Sequence, residues 1–375
     1  MAGAACSAAL TRRGWHVDLI DRASGPAEGA SALPVGMLSP HVTRAPTPLS
    51  RLCALGEPDM RRELKRLLPP GQGWMPTEVD NLGHDPGRWP AAVVRPAALV
   101  RAWLDESSAS GRLATRWSTA VDRLERHDGR WAALDTNGQL VGQAPVAVVA
   151  TAFGSFSLLQ TSLGFDQGAL PLRPVQGQLS FAALEGKPLA DRPMRNNGVF
   201  VPAYEDPGLS PHWPTRVWAM GSTYQRGCED TTVRPEAHLR NAESLAQMHP
   251  EASDELQRSQ VEGRLLGWAQ IRCASLDRIP LLGAVPDVPA MNEWMRAAGH
   301  RRSRSAVSET PRLPGLFLFT ALGSRGLTLS HWGGEWLAAH INGEPSPLGE
   351  GDQDLERAFD PARFAWRLAR RQSAH

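Results

Sequence analysis

The sequence predicts a mixed fold, an α/β Rossmann-like domain interleaved with a second domain built on an antiparallel sheet. Three stretches carry that expectation. Residues 315–328, GLFLFTALGSRGLT, run from an apolar β-type segment through a glycine turn into a helical pattern. Residues 1–22 read as a helix of small residues followed by a strand closed by Asp21-Arg22. Residues 171–274 hold strand-like runs separated by proline-rich loops, as an antiparallel sheet would.

The opening segment MAGAACSAALTRRG has side chains small enough to press a helix against a sheet and a ligand, and residues 15–20 follow as a strand. In the second half of a dinucleotide-binding βαβ unit, the acid at the strand's end, here Asp21, accepts hydrogen bonds from the adenosine ribose. Gly3 then stands as the last glycine of a GxGxxG turn, so the unit's first strand is expected to be missing. A start placed too late, a truncation or a lost strand would each give this pattern. Residues 25–40, GPAEGASALPVGMLSP, are nearly free of charge, which suits backbone lying against a flat ligand. Gly29, Ala30 and Ser31, then Gly36, Met37 and Leu38, are the expected close approaches. A buried structural loop would read the same way.

Residues 47–68 are helical, and Arg61, Arg62, Lys65 and Arg66 form either a solvated face or an RNA contact before Pro69-Pro70 ends the helix. Residues 71–90 read as loop, and Pro96 opens a helix to about residue 108. The hairpin signals His127-Asp128-Gly129 and Thr136-Asn137-Gly138 predict a small meander within 112–143. Residues 146–151 form a continuous apolar strand of a buried parallel sheet, turning at Phe153-Gly154. Strands are expected at 175–181, 199–203, 216–223 and 263–273, with one helix at 235–248. Residues 287–313, including HRRSRS at 300–305, read as an exposed basic loop, solvated or facing tRNA. In the turn Gly323-Ser324-Arg325-Gly326, glycine lets backbone approach a ligand, and the following helix aims free N–H groups at it. An ordinary βα turn would look alike. A helix and a polar tail, 367–375, close the chain. The domains divide as 1–45, 92–155 and 312–375 for the dinucleotide-binding part, against 46–91 and 156–311 for the substrate part.

A chain of 375 residues suits two domains. A net charge of +1 excludes general electrostatic attraction to nucleic acid or membrane, so such contacts must be local. Cys6, Cys53, Cys228 and Cys273 show no metal-ligand spacing, which points to a reducing compartment and no metal site. No apolar run is long enough for a bilayer and no signal-peptide pattern opens the chain, so no membrane partner and a cytoplasmic location are expected.

Residues 272–283, RCASLDRIPLLG, resemble the R-x-x-T-P-D-x-x-P-x-x-G segment of FAD-dependent amine oxidases of the D-amino-acid, glycine and sarcosine oxidase type. With RRGWHVDLIDRA, EGAS, LRPVQGQLS at 172–180, MGSTY at 220–224, DRIPLLGAVPD at 277–287, ALGSRGLT and FDPARF at 359–364, the chain most resembles the oxidoreductase half of the bifunctional tRNA 5-methylaminomethyl-2-thiouridine biosynthesis family. The resemblance implies a glycine/D-amino-acid oxidase-like fold, FAD as cofactor and tRNA as partner, with a separate methyltransferase as a further partner. The implied reaction oxidises the carboxymethylaminomethyl group of a wobble uridine or 2-thiouridine, leaving aminomethyl uridine and glyoxylate. Arg272 would grip the substrate carboxylate, the other reading being an ion pair with Asp277 or another acid, and Arg325 would be its catalytic neighbour. Gly3, Asp21, Gly29, Ser31, Gly36, Met37, Gly154, Gly323, Ser324, Gly326 and Leu327 would bind FAD. Leu276 and Ser275 replace the family's proline and threonine, and Ala321 its glycine, so a shifted loop near the substrate is expected. Two other functions fit the same residues: an oxidase of free glycine, sarcosine or a D-amino acid, and a cofactor-free remnant that binds RNA or a partner.

Overall fold

The computed structural model describes residues 1–298 and 307–372. Helix α1 (Ala2–Arg12) leads to strand β1 (Val17–Ile20) and the short strand β2 (Gly36–Leu38). Helix α2 (Pro48–Leu67) starts at a reciprocal cap, in which Thr47 and Ser50 satisfy each other's backbone N–H. Strands β3 (Trp74–Asn81) and β4 (Gly87–Val94) form a hairpin, and α3 (Pro96–Ala109) begins with Pro96 in its first turn. Strand β5 (Leu113–Arg116) precedes a meander of β6 (Arg123–His127), β7 (Arg130–Leu134) and β8 (Leu140–Ala144). Strand β9 (Ala147–Val149) turns into α4 (Gly154–Leu163).

The second half opens with the long strand β10 (Leu172–Ala183), then β11 (Met194–Asn196), β12 (Gly198–Glu205), β13 (Arg216–Gly221) and β14 (Gln225–Arg226). Helices α5 (Pro235–Ala246) and α6 (Pro250–Val261) precede β15 (Leu266–Ser275) and β16 (Leu281–Pro286). Helix α7 (Val288–Ala298), strand β17 (Arg312–Thr320), and helices α8 (Gly326–Ile341), α9 (Gln353–Phe359) and α10 (Arg363–Gln372) complete the chain.

Two short parallel pairings form the first layer: β1 with β5, and β9 with β17, whose other edge carries β16. Strands β1 and β9 both end beside Gly3, where an added Cβ would lie 3.7 Å from Leu19 Cδ1 and from Ala150 Cβ. Among the described residues no strand pairs with β1 or β9 on their remaining edges, so the parallel sheet is divided in two. Helix α1 packs so closely on α8 that a Cβ at Gly334 would lie 2.9 Å from the Ala5 carbonyl carbon. Likewise a Cβ at Gly56 of α2 would overlap the Thr328 carbonyl oxygen of α8. Small residues are therefore what holds the helical layer at backbone contact.

The large sheet runs β14-β10-β13-β12-β11-β3-β4-β2, with β15 on the other edge of β10. Most of its pairings are antiparallel, with β11 and β3 parallel.

Several expectations are corrected. Residues 71–90 are not loop but most of a hairpin; Pro76 faces Ala92 and Pro90 faces Glu78 within it, and prolines in both strands hid the pattern. Strand β2, from the expected dinucleotide part, joins the large sheet through β4, while α2 lies in the helical layer. Met60 and Leu64 of α2 are buried with Ala4, Ala5 and Leu99, which is why this helix packs in the helical layer while β3 and β4 join the large sheet. The run from residue 112 contributes β5 to β1 before the meander begins. The helix expected at 235–248 is α5, and an unexpected second helix, α6, follows it because Pro250 starts a new first turn. Within 287–313 lie α7 and the start of β17, and the HRRSRS segment falls outside the described residues. The tail is helical to residue 372, with Phe364, Ala365 and Ala369 buried in the core around β9 and β17.

Candidate active site

A cavity of about 2090 Å³ runs from Asp21 past the ends of β1, β9 and β17 to Arg272. Ligand pockets commonly hold about 300–1,000 Å³, so this one has room for a long ligand of several parts. Part of the space is the open edge between β1 and β9, since Val17, Ile20, Val146 and Ala150 line it too.

Every residue expected at the cofactor lines this one cavity. At one end lie Gly3 in the first turn of α1 and Asp21 just beyond β1, whose Oδ1 accepts the Ala23 N–H at 2.9 Å. Gly29 and Ser31 follow in a single helical turn, and Met37 in β2. Gly36 is a packing position, since a Cβ there would lie 2.8 Å from Leu327 Cδ1 and 3.2 Å from the Val94 carbonyl oxygen. Gly154 starts α4. At the far end Gly323, Ser324, Arg325, Gly326 and Leu327 link β17 to α8, and the Gly323 N–H donates to the Cys273 carbonyl at 2.8 Å. Gly323 has φ +55° and Ala321 φ +61°, so the left-handed turn persists although alanine occupies the position of the family's glycine.

The fit of these residues to a dinucleotide rests on helix ends. Helices α1 and α8 both begin at the cavity, and neither has a side chain capping its first turn. Free N–H groups and positive dipole ends at two points of one cleft suit a ligand with negative charge at two points, a pyrophosphate and a reduced flavin ring.

Arg272 projects from β15. Its Nη2 donates to the Thr223 carbonyl at 2.9 Å, and its guanidinium lies 5.5 Å from the centre of the Tyr224 ring. Below it is Gly177 of β10, where a Cβ would overlap Nη2 and lie 2.6 Å from Cζ. Burial pushes the Arg272 pKa down, opposed by Tyr224 and by no carboxylate. Asp277 is taken by Arg363, with Nη2 to Oδ1 at 2.8 Å and Nε to Oδ2 at 3.0 Å. The ion pair of Arg272 with Asp277 therefore does not form. Ser275 and Leu276 keep the turn: Ser275 Oγ donates to the Ile279 carbonyl at 2.7 Å, and Leu276 is exposed.

Arg325 caps the front of α8 and places Nη2 2.9 Å from His41 Nδ1. Burial pushes its pKa down as well. The basic face of α2 is largely neutralised: Arg61 bonds Glu57, Arg62 bonds Asp59, and Arg66 bonds Glu63 and Glu106. Sequence reasoning missed Gly177, Thr223, Tyr224, Arg195 and His41. Only Gly177 carried a signal, a glycine inside a strand, which marks close approach of another group.

Over residues 87–340 the sequence matches the family described as DAO, FAD dependent oxidoreductase. The chain belongs to that family. It is an FAD-dependent oxidoreductase, as the resemblance in residues 272–283 implied. The tRNA 5-methylaminomethyl-2-thiouridine biosynthesis bifunctional protein MnmC of Ralstonia nicotianae is 33% identical over 99% of this chain and 60% of its own length. The protein of that name from Delftia acidovorans is 34% identical over 93% of this chain and 58% of its own. The chain thus spans about three fifths of the length of these relatives. Among solved structures, iminodiacetate oxidase from Chelativorans superposes with a TM-score of 0.69 at 19% identity, covering 96% of both chains. Glycine oxidase from Geobacillus kaustophilus gives 0.67 at 17% identity, again over 96% of both. These likenesses establish the two-domain oxidase fold. No helix among the described residues is long and apolar enough to cross a membrane.

Proposed function

We propose that this protein oxidises the carboxymethylaminomethyl group on the wobble uridine, or 2-thiouridine, of tRNA, releasing glyoxylate and leaving aminomethyl uridine. The observation that carries the reading is Arg272, a half-buried cation at the cavity with no carboxylate partner among the described residues. The name shared by the relatives from Ralstonia and Delftia supports tRNA as the substrate.

FAD, when bound, would supply the acceptor for the hydride that leaves the carboxymethyl C–H as the C–N bond becomes an imine. Arg272 grips the substrate carboxylate through two parallel N–H bonds and fixes the donor carbon, and Gly177 leaves room for that guanidinium. Arg325 and the first turn of α8 would stabilise negative charge that develops on the cofactor. The substrate imine takes up water and splits into glyoxylate and the amine. Asp21 holds the ribose, and Gly3, Gly29, Ser31, Gly36, Met37, Gly154, Gly323, Ser324, Gly326 and Leu327 form the walls. A cytoplasmic enzyme is the natural setting, with a separate methyltransferase completing the modification.

The test offers the FAD-loaded protein a tRNA carrying carboxymethylaminomethyl uridine, and measures glyoxylate and the digested nucleosides. Stoichiometric glyoxylate and aminomethyl uridine are expected. Turnover of glycine, sarcosine or D-alanine with none of the tRNA would replace the proposal with a free amino-acid oxidase. No turnover of any of them, with no flavin retained, would leave the remnant that binds RNA or a partner.

A further inference from the structure

Arg272 is not the only cation at the cleft without an acid. Arg195 of β11 lines the same cavity and is fixed by neutral acceptors alone. Its Nη1 donates to Ser39 Oγ at 2.9 Å and to the Pro40 carbonyl at 2.5 Å, and its Nε donates to Asn81 Oδ1 at 3.1 Å. Its guanidinium lies 5.5 Å from the centre of the Trp89 ring. Beside it, His41 sits 2.9 Å from Arg325 Nη2, and the exposed Arg278 acts on the same imidazole. Among the described residues none of Arg195, Arg278 and Arg325 forms an ion pair.

Three arginines act on the His41 imidazole together. Burial together with Arg325, Arg195 and Arg278 lowers the His41 pKa to about 4, so the ring is neutral at pH 7 and accepts from Arg325. Arg195 is itself pushed down by burial and by Arg325. Three guanidiniums gathered without a carboxylate are costly unless an anion joins them. Guanidinium donors bind phosphate oxygens in pairs, and Arg278 is open to solvent while Arg325 faces the cleft.

We infer that Arg195, Arg325 and Arg278 around His41 form a second anion subsite, which takes a phosphodiester of the nucleic-acid substrate next to the oxidised nucleoside. Arg272 then holds the small carboxylate, and this subsite holds the backbone that delivers it. The choice of an RNA phosphate rests on the tRNA reading above; the anion site itself does not.

The experiment has two arms on the FAD-loaded protein. In the first, the His41 ring proton is followed by NMR at about pH 6 while inorganic phosphate is added. Bound phosphate raises the His41 pKa toward the ordinary histidine value, so the resonance moves to its protonated position. Arg195→Gln is expected to weaken that phosphate binding about 10- to 100-fold, with Arg195→Lys between the two. A His41 resonance that ignores phosphate in the native protein overturns the subsite. In the second arm, KM is compared for an anticodon stem-loop with its native linkages and one with a neutral methylphosphonate beside the modified uridine. The neutral linkage is expected to raise KM about tenfold in the native protein, with little further rise in Arg195→Gln. An unchanged KM overturns the phosphodiester as occupant. If neither stem-loop is oxidised, the tRNA reading fails and the phosphodiester falls with it, while the phosphate titration still decides the anion site.

Discussion

Replacing Gly177 by alanine should damage catalysis by moving Arg272. The added Cβ would overlap Arg272 Nη2, lie 2.6 Å from its Cζ, and lie 2.8 Å from the Thr223 carbonyl oxygen. Ordinary contacts between heavy atoms are about 3.5–4.0 Å, so the guanidinium must withdraw by about 1 Å at Cζ and about 2 Å at Nη2. A misplacement of about 1 Å in a positioning group can cost about 100-fold in rate. The Gly177→Ala enzyme should therefore lose about 100-fold in kcat/KM for the carboxylate substrate, read as glyoxylate release, while its flavin absorbance is kept. The decisive control is Arg272→Met with and without Gly177→Ala. If the glycine acts through the arginine, adding Gly177→Ala to Arg272→Met should change kcat/KM less than about threefold. A folded Gly177→Ala enzyme with native kcat/KM, or an equal loss in the Arg272→Met background, would refute the reasoning.

Other outcomes follow from the same coordinates. Burial alone would raise the Glu63 pKa, but Arg66, His331, Arg12 and Trp103 hold it at about 2. Because its folded pKa is depressed, its contribution of about 3 kcal/mol is complete above the ordinary carboxylate pKa and fades as pH falls from about 4.5 toward 2. Glu63→Gln should lower urea-measured stability by about 3 kcal/mol at neutral pH and flatten that acid slope, and an unchanged slope would argue against the network. Ala321→Gly removes a left-handed alanine at φ +61° and should stabilise the fold by about 0.5–1 kcal/mol in the same assay; a loss of stability would count against strain there. An apolar strand of about five residues and a Gly-x-Gly turn fused ahead of Met1 should pair with the facing edges of β1 and β9 and increase flavin retained through gel filtration. Equal retention would show that those edges do not limit FAD binding.

The parts of this molecule legible in its sequence are those in which local pattern and burial agree. Residues 316–319 are apolar on both faces because Leu316 and Leu318 pack in one core while Phe317 and Phe319 pack in another, and Pro96 announces α3 because a first-turn proline loses nothing. The hairpin at β3 and β4 was illegible for the opposite reason. Its strands carry Pro76 and Pro90 and expose many side chains, so what makes them strands is pairing with each other and with β11 and β2. The site divides the same way. The glycines expected at the cofactor stand at turns, helix starts or short strands that local pattern marks, whereas Thr223, Tyr224, Arg195 and His41 reach the cleft only through tertiary register. Val175 opposite Arg272 and Gly177 opposite Gln270 set where the guanidinium falls, and no window of sequence contains that register.

The arrangement of charge ties fold to function. On the helical layer and around α10 the arginines are matched: Arg12 meets Glu63, Glu106 and Glu335, Arg13 meets Glu335 and Glu344, and Arg363 meets Asp277. Just beyond the ends of β4 and β12, Arg95 meets Asp206. At the cleft, among the described residues, Arg195, Arg272 and Arg325 meet carbonyls, an amide, a hydroxyl, an imidazole and two aromatic rings, but no carboxylate. A net charge of +1 shows that this is a matter of placement and not of excess. Asp277 could have neutralised Arg272 from the same turn, yet Arg363 holds it through both carboxylate oxygens. Arg363 thereby leaves Arg272 without this acid, and under the proposed function a residue at the far end of the chain becomes a condition for carboxylate binding. The cleft holds cations fixed before any anion arrives, so little reorganisation is left for the moment of binding.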